Sequence, residues 1–379
     1  MYKLLLSVLL VSVPELLLSQ EENSSINIIN TYTDQNKEYL FGIILGVGVD
    51  QQENIYAFDY DQNAVLKLDK EGNYLGKVIR SGRGPAEIHS MYSYLVDDEA
   101  KRIYLTDRRN AKYLVTDLQG NEIDHHFIKT GYMNPAMGME RYDENTLALL
   151  FTVSKSQLMR QEEGIDSLIH FYDRDSFERT FSLADREYFS TLAEYKTEAQ
   201  GLLNETFVGS ITFKDSRTLL ISPHVYNKRI IVYEKGENEE WSFSKTMEGK
   251  EWDTEAFIEV DFEDYRNNKS KYRSEGLNIA SASGMDGNGA GIIKLWSAGI
   301  YTLESGEIVN FIVQEENFRH KLVVERYDEY LNHISSSTIF EGKKGELIMG
   351  VPDMDQQENF YMLSHFSKQS SRIVKFSLD

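Results

Sequence analysis

A pentapeptide, Asp50-Gln51-Gln52-Glu53-Asn54, returns letter for letter as Asp355-Gln356-Gln357-Glu358-Asn359. Each copy runs into an apolar and aromatic pair, Ile55-Tyr56 in one and Phe360-Tyr361 in the other. Such a repeat constrains the fold more than any single motif, because repeated units bury their apolar faces only by stacking on their neighbours. Two consecutive units between the copies share one grammar: residues 54–59, 64–69 and 74–79, then 102–107, 112–117 and 122–128. They are rich in β-branched and aromatic residues, alternate, and are punctuated by Glu71-Gly72-Asn73 and Gln119-Gly120-Asn121. That pattern predicts hairpin-linked antiparallel strands.

Weaker copies are anchored at Thr146, Thr218 and Ile308. Taken with Ile55, Ile103 and Phe360 they make six units, separated by 48, 43, 72, 90 and 52 residues. Three steps match a four-stranded propeller blade of roughly 40–50 residues, and the two longer ones carry insertions. The last unit has strands near residues 346–351, 359–364 and 372–378 and stops one strand short, whereas residues 25–32 form a strand without a partner. Pairing the two removes the exposed edges of an open sheet. The expected fold is therefore all-β: a six-bladed β-propeller of four-stranded antiparallel blades, its ring closed by an N-terminal strand that completes the last blade. Insertions are expected at about 184–207 and 246–299. Within the first, residues 187–207 carry apolar residues at helical spacing and predict a helix across one face; the second reads as a loop excursion with one helix and one strand.

The first residues decide the compartment. Lys3 precedes a ten-residue apolar run, residues 4–13, followed by Pro14-Glu15. This is the pattern of a secretory signal, too short for the roughly 20 residues of a membrane span. Residues 1–19 are read as the leader and 20–379 as a single propeller domain. Leu16-Leu17-Leu18-Ser19 has lipoprotein spacing with serine in place of the lipidated cysteine, and the chain holds no cysteine at all. The expectation is an exported protein, periplasmic or secreted, without a lipid anchor, a disulfide or a thiolate metal site. Sixty-one acidic against forty basic residues, a net charge of −21, would repel a phosphate backbone and exclude nonspecific nucleic-acid binding.

Paired strands of the form Ile-Tyr-x-x-Asp and Leu-x-x-Asp-x-x-Gly, followed by Gly82-Arg83-Gly84-Pro85-Ala86-Glu87-Ile88, resemble the six-bladed β-propeller family of exported Bacteroidetes proteins. That family's fold is similar to TolB-like and NHL-repeat propellers. It carries a Gly-x-Gly-Pro-Gly-Glu loop after the first blade, and Ala86 stands here at the third glycine. Many members look like lipoproteins, from which this chain departs at Ser19. The resemblance implies a shape and leaves function to the site.

Few motifs carry chemistry. The glycines of residues 82–87 would let backbone amides approach an anion, but the P-loop lysine and hydroxyl residue are missing, so a structural turn is the expectation. Arg83 and Glu87, which can pair or face the channel, are the candidate ligand-binding residues. Asp286-Gly287-Asn288-Gly289-Ala290-Gly291 lacks the ligand count of a calcium loop and reads as a flexible hinge. None of the eight histidines has a metal-ligand partner at short helical spacing, and no metal ligand is assigned. Asp59, Asp69, Asp107 and Asp117 recur at strand ends, which predicts turn caps. No catalytic constellation stands out, so no catalytic residue is named.

The leading reading is a non-catalytic, monomeric exported propeller that binds a glycan, peptide or envelope protein through one face of the disc, without a cofactor. Two readings stay open beside it: a lactonase- or lyase-like enzyme holding a divalent cation such as calcium in the central channel, and an envelope assembly scaffold.

Overall fold

The computed structural model describes residues 26–33, 39–110, 112–127, 138–151, 167–185, 209–250, 252, 254–270, 279–284, 287–317, 319–366 and 371–378. The leader, the predicted helix at residues 187–207 and Asp286 lie outside the described residues.

The chain begins with β1 (Ile26–Tyr32), which belongs to the last blade. Blade 1 is β2 (Ile44–Val49), β3 (Ile55–Asp59), β4 (Ala64–Leu68) and β5 (Tyr74–Ser81), with the two-residue β6 (Glu87–Ile88) parallel to β5. Blade 2 is β7 (Met91–Asp97), β8 (Arg102–Asp107), β9 (Lys112–Asp117) and β10 (Glu122–Phe127). Blade 3 is β11 (Gly138–Arg141), β12 (Thr146–Leu150), β13 (Ser167–Asp173) and β14 (Arg179–Asp185). Blade 4 is β15 (Gly209–Asp215), β16 (Thr218–Pro223), β17 (Arg229–Lys235) and β18 (Trp241–Glu248). An insertion follows: β19 (Phe257–Val260), α1 (Phe262–Asn267), β20 (Ile279–Gly284) and β21 (Gly287–Ile293). Blade 5 is β22 (Leu295–Thr302), β23 (Ile308–Glu316), β24 (Arg319–Tyr327) and β25 (His333–Glu341). Blade 6 is β26 (Glu346–Met354), β27 (Phe360–Phe366), β28 (Ser371–Leu378) and, paired antiparallel to β28, β1. The six anchor residues of the repeat all fall at the start of the second strand of a blade.

The first strand of each blade lies innermost and the fourth outermost, as burial shows: β22 is almost wholly buried and β10 mostly exposed. The middle strands are buried on both faces, and neighbouring residues serve different neighbours. Ile55 and Ala57 of β3 pack with Tyr361 and Leu363 of blade 6, while Tyr56 and Phe58 pack with Ile103 and Leu105 of blade 2. Leu147 and Leu149 of β12 likewise face blade 2, and Ala148 and Leu150 face blade 4. Successive side chains of a strand point to opposite faces, so a blade in a ring needs apolar residues at both parities. The core is thus a set of walls between blades.

The insertion holds more sheet than the sequence predicts. Besides α1 it has three strands, in the order β19-β21-β20, where one was expected. The glycine-rich stretch read as a hinge is paired backbone, with Ser281 opposite Ala290 and Ala282 opposite Gly289. Ladder hydrogen bonds need no side chain, and at Gly291 a side chain would be excluded: a Cβ would lie 1.9 Å from the Phe257 ring.

The repeated pentapeptides build the same turn twice. Asp50 accepts hydrogen bonds from the Gln52 and Asn54 amides (3.0 and 2.9 Å), from the Asn54 side chain and from the Tyr56 hydroxyl (3.0 Å). Asp355 repeats this with Gln357, Asn359 and Tyr361 at 3.0, 2.9 and 3.1 Å. Lys375 of β28 then reaches both Asp355 (2.8 Å) and Glu53, joining the last blade to the first. Replacing Asp355 by Ala strips a buried lysine, a tyrosine and two amides of one acceptor, and is expected to cost ~3 kcal/mol in urea denaturation. Asp117→Ala, at an equivalent but solvated turn, is expected to cost ~1 kcal/mol. Equal losses would show that the junction does not depend on the buried aspartate.

Candidate functional site

The loop that carries Arg83 and Glu87 leads from blade 1 to blade 2. Its glycines do cradle an anion, and that anion is the chain's own: the Gly84 amide donates to Glu87 Oε2 at 2.7 Å. A Cβ at Gly82 would sit 1.9 Å from the same oxygen, so only glycine admits the folded-back carboxylate. Lys112 Nζ donates to the Pro85 and Gly84 carbonyls at 2.9 and 3.3 Å and locks the loop from blade 2. Arg83 is exposed. The two candidate residues are therefore not brought together: Glu87 closes its own loop, and no ion pair between them occurs among the described residues.

The same loop runs on into one wall of a cleft between blades 1 and 2. The cleft, about 300 Å³, is lined by Tyr60, Asp61, Asn63, Ser81, His89, Ser90 and Arg109. Two buried aspartates hold it in shape. Asp107 accepts from the amides of His89 (2.7 Å), Ser90 (3.2 Å), Arg109 (3.1 Å) and Asn110 (3.2 Å), tying the incoming loop to the β8–β9 turn. Asp59 does the same one blade earlier, accepting from the Gly42 and Gln62 amides at 2.7 and 2.9 Å. Asp69 and Asp117 also accept turn amides, from Asn73 at 2.7 Å and Asn121 at 2.8 Å. All four strand-end aspartates are turn caps, as the sequence predicts. On this frame Arg109 Nη1 lies 2.7 Å from His89 Nε2, and Tyr60 is 45% exposed.

A second group lines the axis where the inner strands converge. Tyr94 of β7 fills the space left by Gly46 of β2, where a Cβ would lie 1.6 Å from its hydroxyl, and stacks on Phe58 at 3.7 Å. The Tyr301 hydroxyl donates to the Val351 carbonyl at 2.6 Å. Asp353 Oδ2 accepts from the Val49 amide of blade 1 (2.7 Å), and Oδ1 from Met354 (2.8 Å). Glu140 of β11 makes no hydrogen bond or ion pair among the described residues. Burial within the disc pushes Asp353 up to about 7, with Asp355 adding to the rise against the two amides. Burial, then the charge of Asp353, pushes Glu140 up to about 8. Both tyrosine hydroxyls are raised by burial first; Asp353 adds to the rise at each, and Glu140 at Tyr301 as well. All four residues are half-buried. Among the described residues, no group of three or more His, Asp or Glu side chains could hold a metal ion.

Sequence reasoning missed this quartet because each member comes from a different blade. One signal was legible. Aligning the repeated pentapeptides sets Asp353 against Gly48, so a carboxylate stands in one inner strand where its twin has no side chain.

Titration should expose these groups. Burial pushes His170, His224 and His320 down to about 4 from an ordinary 6.5. The unfolded chain therefore binds more protons than the fold between these values, and stability falls as the pH drops from 6.5 to 4. Glu140 and Asp353 work the other way: the fold holds protons that the unfolded chain releases near its ordinary carboxyl values. Their contribution is intact below those values and is lost as the pH rises through about 7 and 8. The melting temperature is expected to peak where the histidine window ends, at roughly pH 6.5. Glu140→Gln should flatten the alkaline decline and steepen the rise between pH 4.5 and 6.5, because the Glu140 window opens at its ordinary value of 4.5 and overlaps that of the histidines; unaltered slopes on both limbs would refute the assignment.

Residues 34–280 match the DUF5128 family, described as a 6-bladed beta-propeller. A DUF4221 family member from Bacteroides vulgatus ATCC 8482 superposes with a TM-score of 0.56 at 10% identity, over 94% of this chain and 98% of its own. A candidate exported protein from Bacteroides fragilis NCTC 9343 gives the same score and identity over 95% and 97%. At such identity the likeness is one of fold. None of the curated proteins matches the sequence. With six blades in the structure and the family match spanning most of them, the chain belongs to the DUF5128 family of six-bladed β-propellers.

Proposed function

We propose that this propeller is an exported binding protein that takes a glycan on the face carrying the cleft between blades 1 and 2. The observation that carries the reading is the chemistry of that cleft. An exposed tyrosine ring stands beside a carboxylate, an amide, two hydroxyls and an arginine–histidine pair. Sugar rings present apolar CH faces and a rim of hydroxyls that donate and accept, and this lining offers a partner for each. The walls are held by Asp59 and Asp107 through backbone amides, so little ordering entropy remains to be lost on binding. Arg83 lies two residues beyond Ser81 on the same loop and, being exposed, is free to meet an acidic substituent at the rim. Glu87 contributes by holding that loop closed.

Export rests on the leader pattern of residues 1–19 and agrees with the description of the Bacteroides fragilis neighbour. No helix among the described residues is long and apolar enough to cross a membrane. The serine at position 19 supports release over lipid anchoring. Glycan-array binding by the purified chain, followed by titration calorimetry of the best hit, tests the proposal. Tyr60→Ala and Arg109→Ala are each expected to weaken the hit about tenfold or more, the loss of one stacking or charged contact, while leaving the melting temperature within a degree or two. Affinity unchanged in both variants would move the ligand away from this cleft.

A further inference from the structure

We propose that the glycan taken by the cleft between blades 1 and 2 is an acidic one, its sugars carrying carboxylate or sulfate groups that meet the guanidinium of Arg109; this rests on the reading of the cleft as a glycan site.

Charge is sorted by sign in the three segments that form the cleft. Residues 59–63, 77–90 and 107–112 hold four carboxylates, and backbone amides claim all of them. Asp59 and Asp107 are fully buried and accept from loop amides, Asp61 Oδ2 accepts from the Ile43 amide at 3.2 Å, and Glu87 accepts from Gly84. The same segments hold six basic side chains, Lys77, Arg80, Arg83, Arg108, Arg109 and Lys112. None of the six makes an ion pair among the described residues. Lys77 donates to the Gln62 side-chain oxygen at 2.8 Å, Lys112 to two carbonyls, and Arg108 lies over the Tyr92 ring at 5.3 Å. A chain with a net charge of −21 thus gathers a surplus of positive charge at one cleft.

Exposure does not explain the difference. Nine arginines elsewhere among the described residues reach a carboxylate. Arg217, Arg266 and Arg319 are exposed, as Arg109 is, and still pair with Glu239, Glu263 and Glu341.

The cavity sets one of the unpaired cations against a ligand. Arg109 and His89 both line it, with Nη1 and Nε2 2.7 Å apart. A guanidinium only donates, so His89 accepts through Nε2. That bond orients Arg109 without neutralising it and leaves the other N–H groups of the fork for a ligand. Their planar, paired geometry suits a carboxylate and also the oxygens of a sulfate ester. Asp61, the one carboxylate of the lining, is outnumbered by Arg109 and its neighbour Arg108, with Arg80 beside Ser81. A neutral sugar would gain nothing from this charge.

Calorimetry on the purified full chain tests the proposal with matched probes. Oligomers of galacturonate, glucuronate and mannuronate are each compared with their carboxyl-reduced, neutral counterparts, and a sulfated galactan oligomer with its desulfated form. At least one acidic oligomer is expected to bind about tenfold or more tighter than its neutral counterpart, with sodium chloride weakening only the acidic member. Binding confined to the uronates identifies the anion as a carboxylate, and binding confined to the sulfated galactan identifies it as a sulfate. Arg109→Gln should remove the preference, weakening the acidic oligomer about tenfold more than the neutral one, whereas a merely structural role would weaken both alike. Neutral oligomers bound as tightly as acidic ones, or a preference kept in Arg109→Gln, would overturn the proposal. In either case a loss of binding in Tyr60→Ala would still mark the cleft as a glycan site. If no oligomer of either kind binds, the acidic ligand and the glycan reading fall together.

Discussion

The ring depends on one recurring interaction: a buried aspartate at a strand end that accepts several backbone N–H groups at once. A turn leaves its amides without ladder partners, and burying them unpaired would cost as much as a lost hydrogen bond at each position. Asp107 gathers four such amides from two segments that are distant in sequence, the loop entering blade 2 and its β8–β9 turn. Asp59 joins the corresponding pieces of blade 1. These carboxylates fix how each blade begins relative to its own middle strands, and therefore how far the inner strands stand from the axis. Asp50 and Asp355 act on the opposite turns, and Lys375 links the second of them to Glu53. The hydrophobic walls between blades supply most of the burial, yet they are non-directional. Register and closure come from the carboxylates.

This division of labour explains what the sequence disclosed. Period and strand ends were legible because they are local: Ile55, Ile103, Thr146, Thr218, Ile308 and Phe360 each lie within one residue of the start of a blade's second strand, and each aspartate cap serves at least one amide a few residues away. The insertion between blades 4 and 5 was less legible. Its strands β20 and β21 are poor in β-branched residues, and the glycines that suggested a hinge are tolerated because pairing is made by backbone alone. Propensity describes how a side chain fits a pleated surface, and here there is little side chain to fit.

The sites were the least legible, for a geometric reason. Glu87 was singled out as a ligand group, and it is spent inside its own loop, which the run of glycines around it foreshadowed only in hindsight. The cleft draws on the β3–β4 turn, the loop into blade 2 and the β8–β9 turn, pieces that meet because Asp107 pulls two of them together. The channel quartet draws on four blades, and no window of sequence contains two of its members from different blades. A ring converts positions dispersed over more than two hundred residues into neighbours at one axis, and only the repeat register, which sets Asp353 against Gly48, carries a trace of that convergence.

The same geometry separates the two sites electrostatically. Arg109, His89 and Arg83 lie on the loops of one face, where solvent screens them and where an acidic or hydroxylated ligand meets donors. Glu140 and Asp353 lie on inner strands, where burial raises both and no ion pair among the described residues answers them. A chain with a net charge of −21 is spared two further charges at its centre while both acids hold their protons. Backbone amides hold the fully buried Asp59 and Asp107 in this ring without a cation, and Asp353 follows them with the amides of Val49 and Met354, so below about pH 7 its proton relieves the charge at the axis.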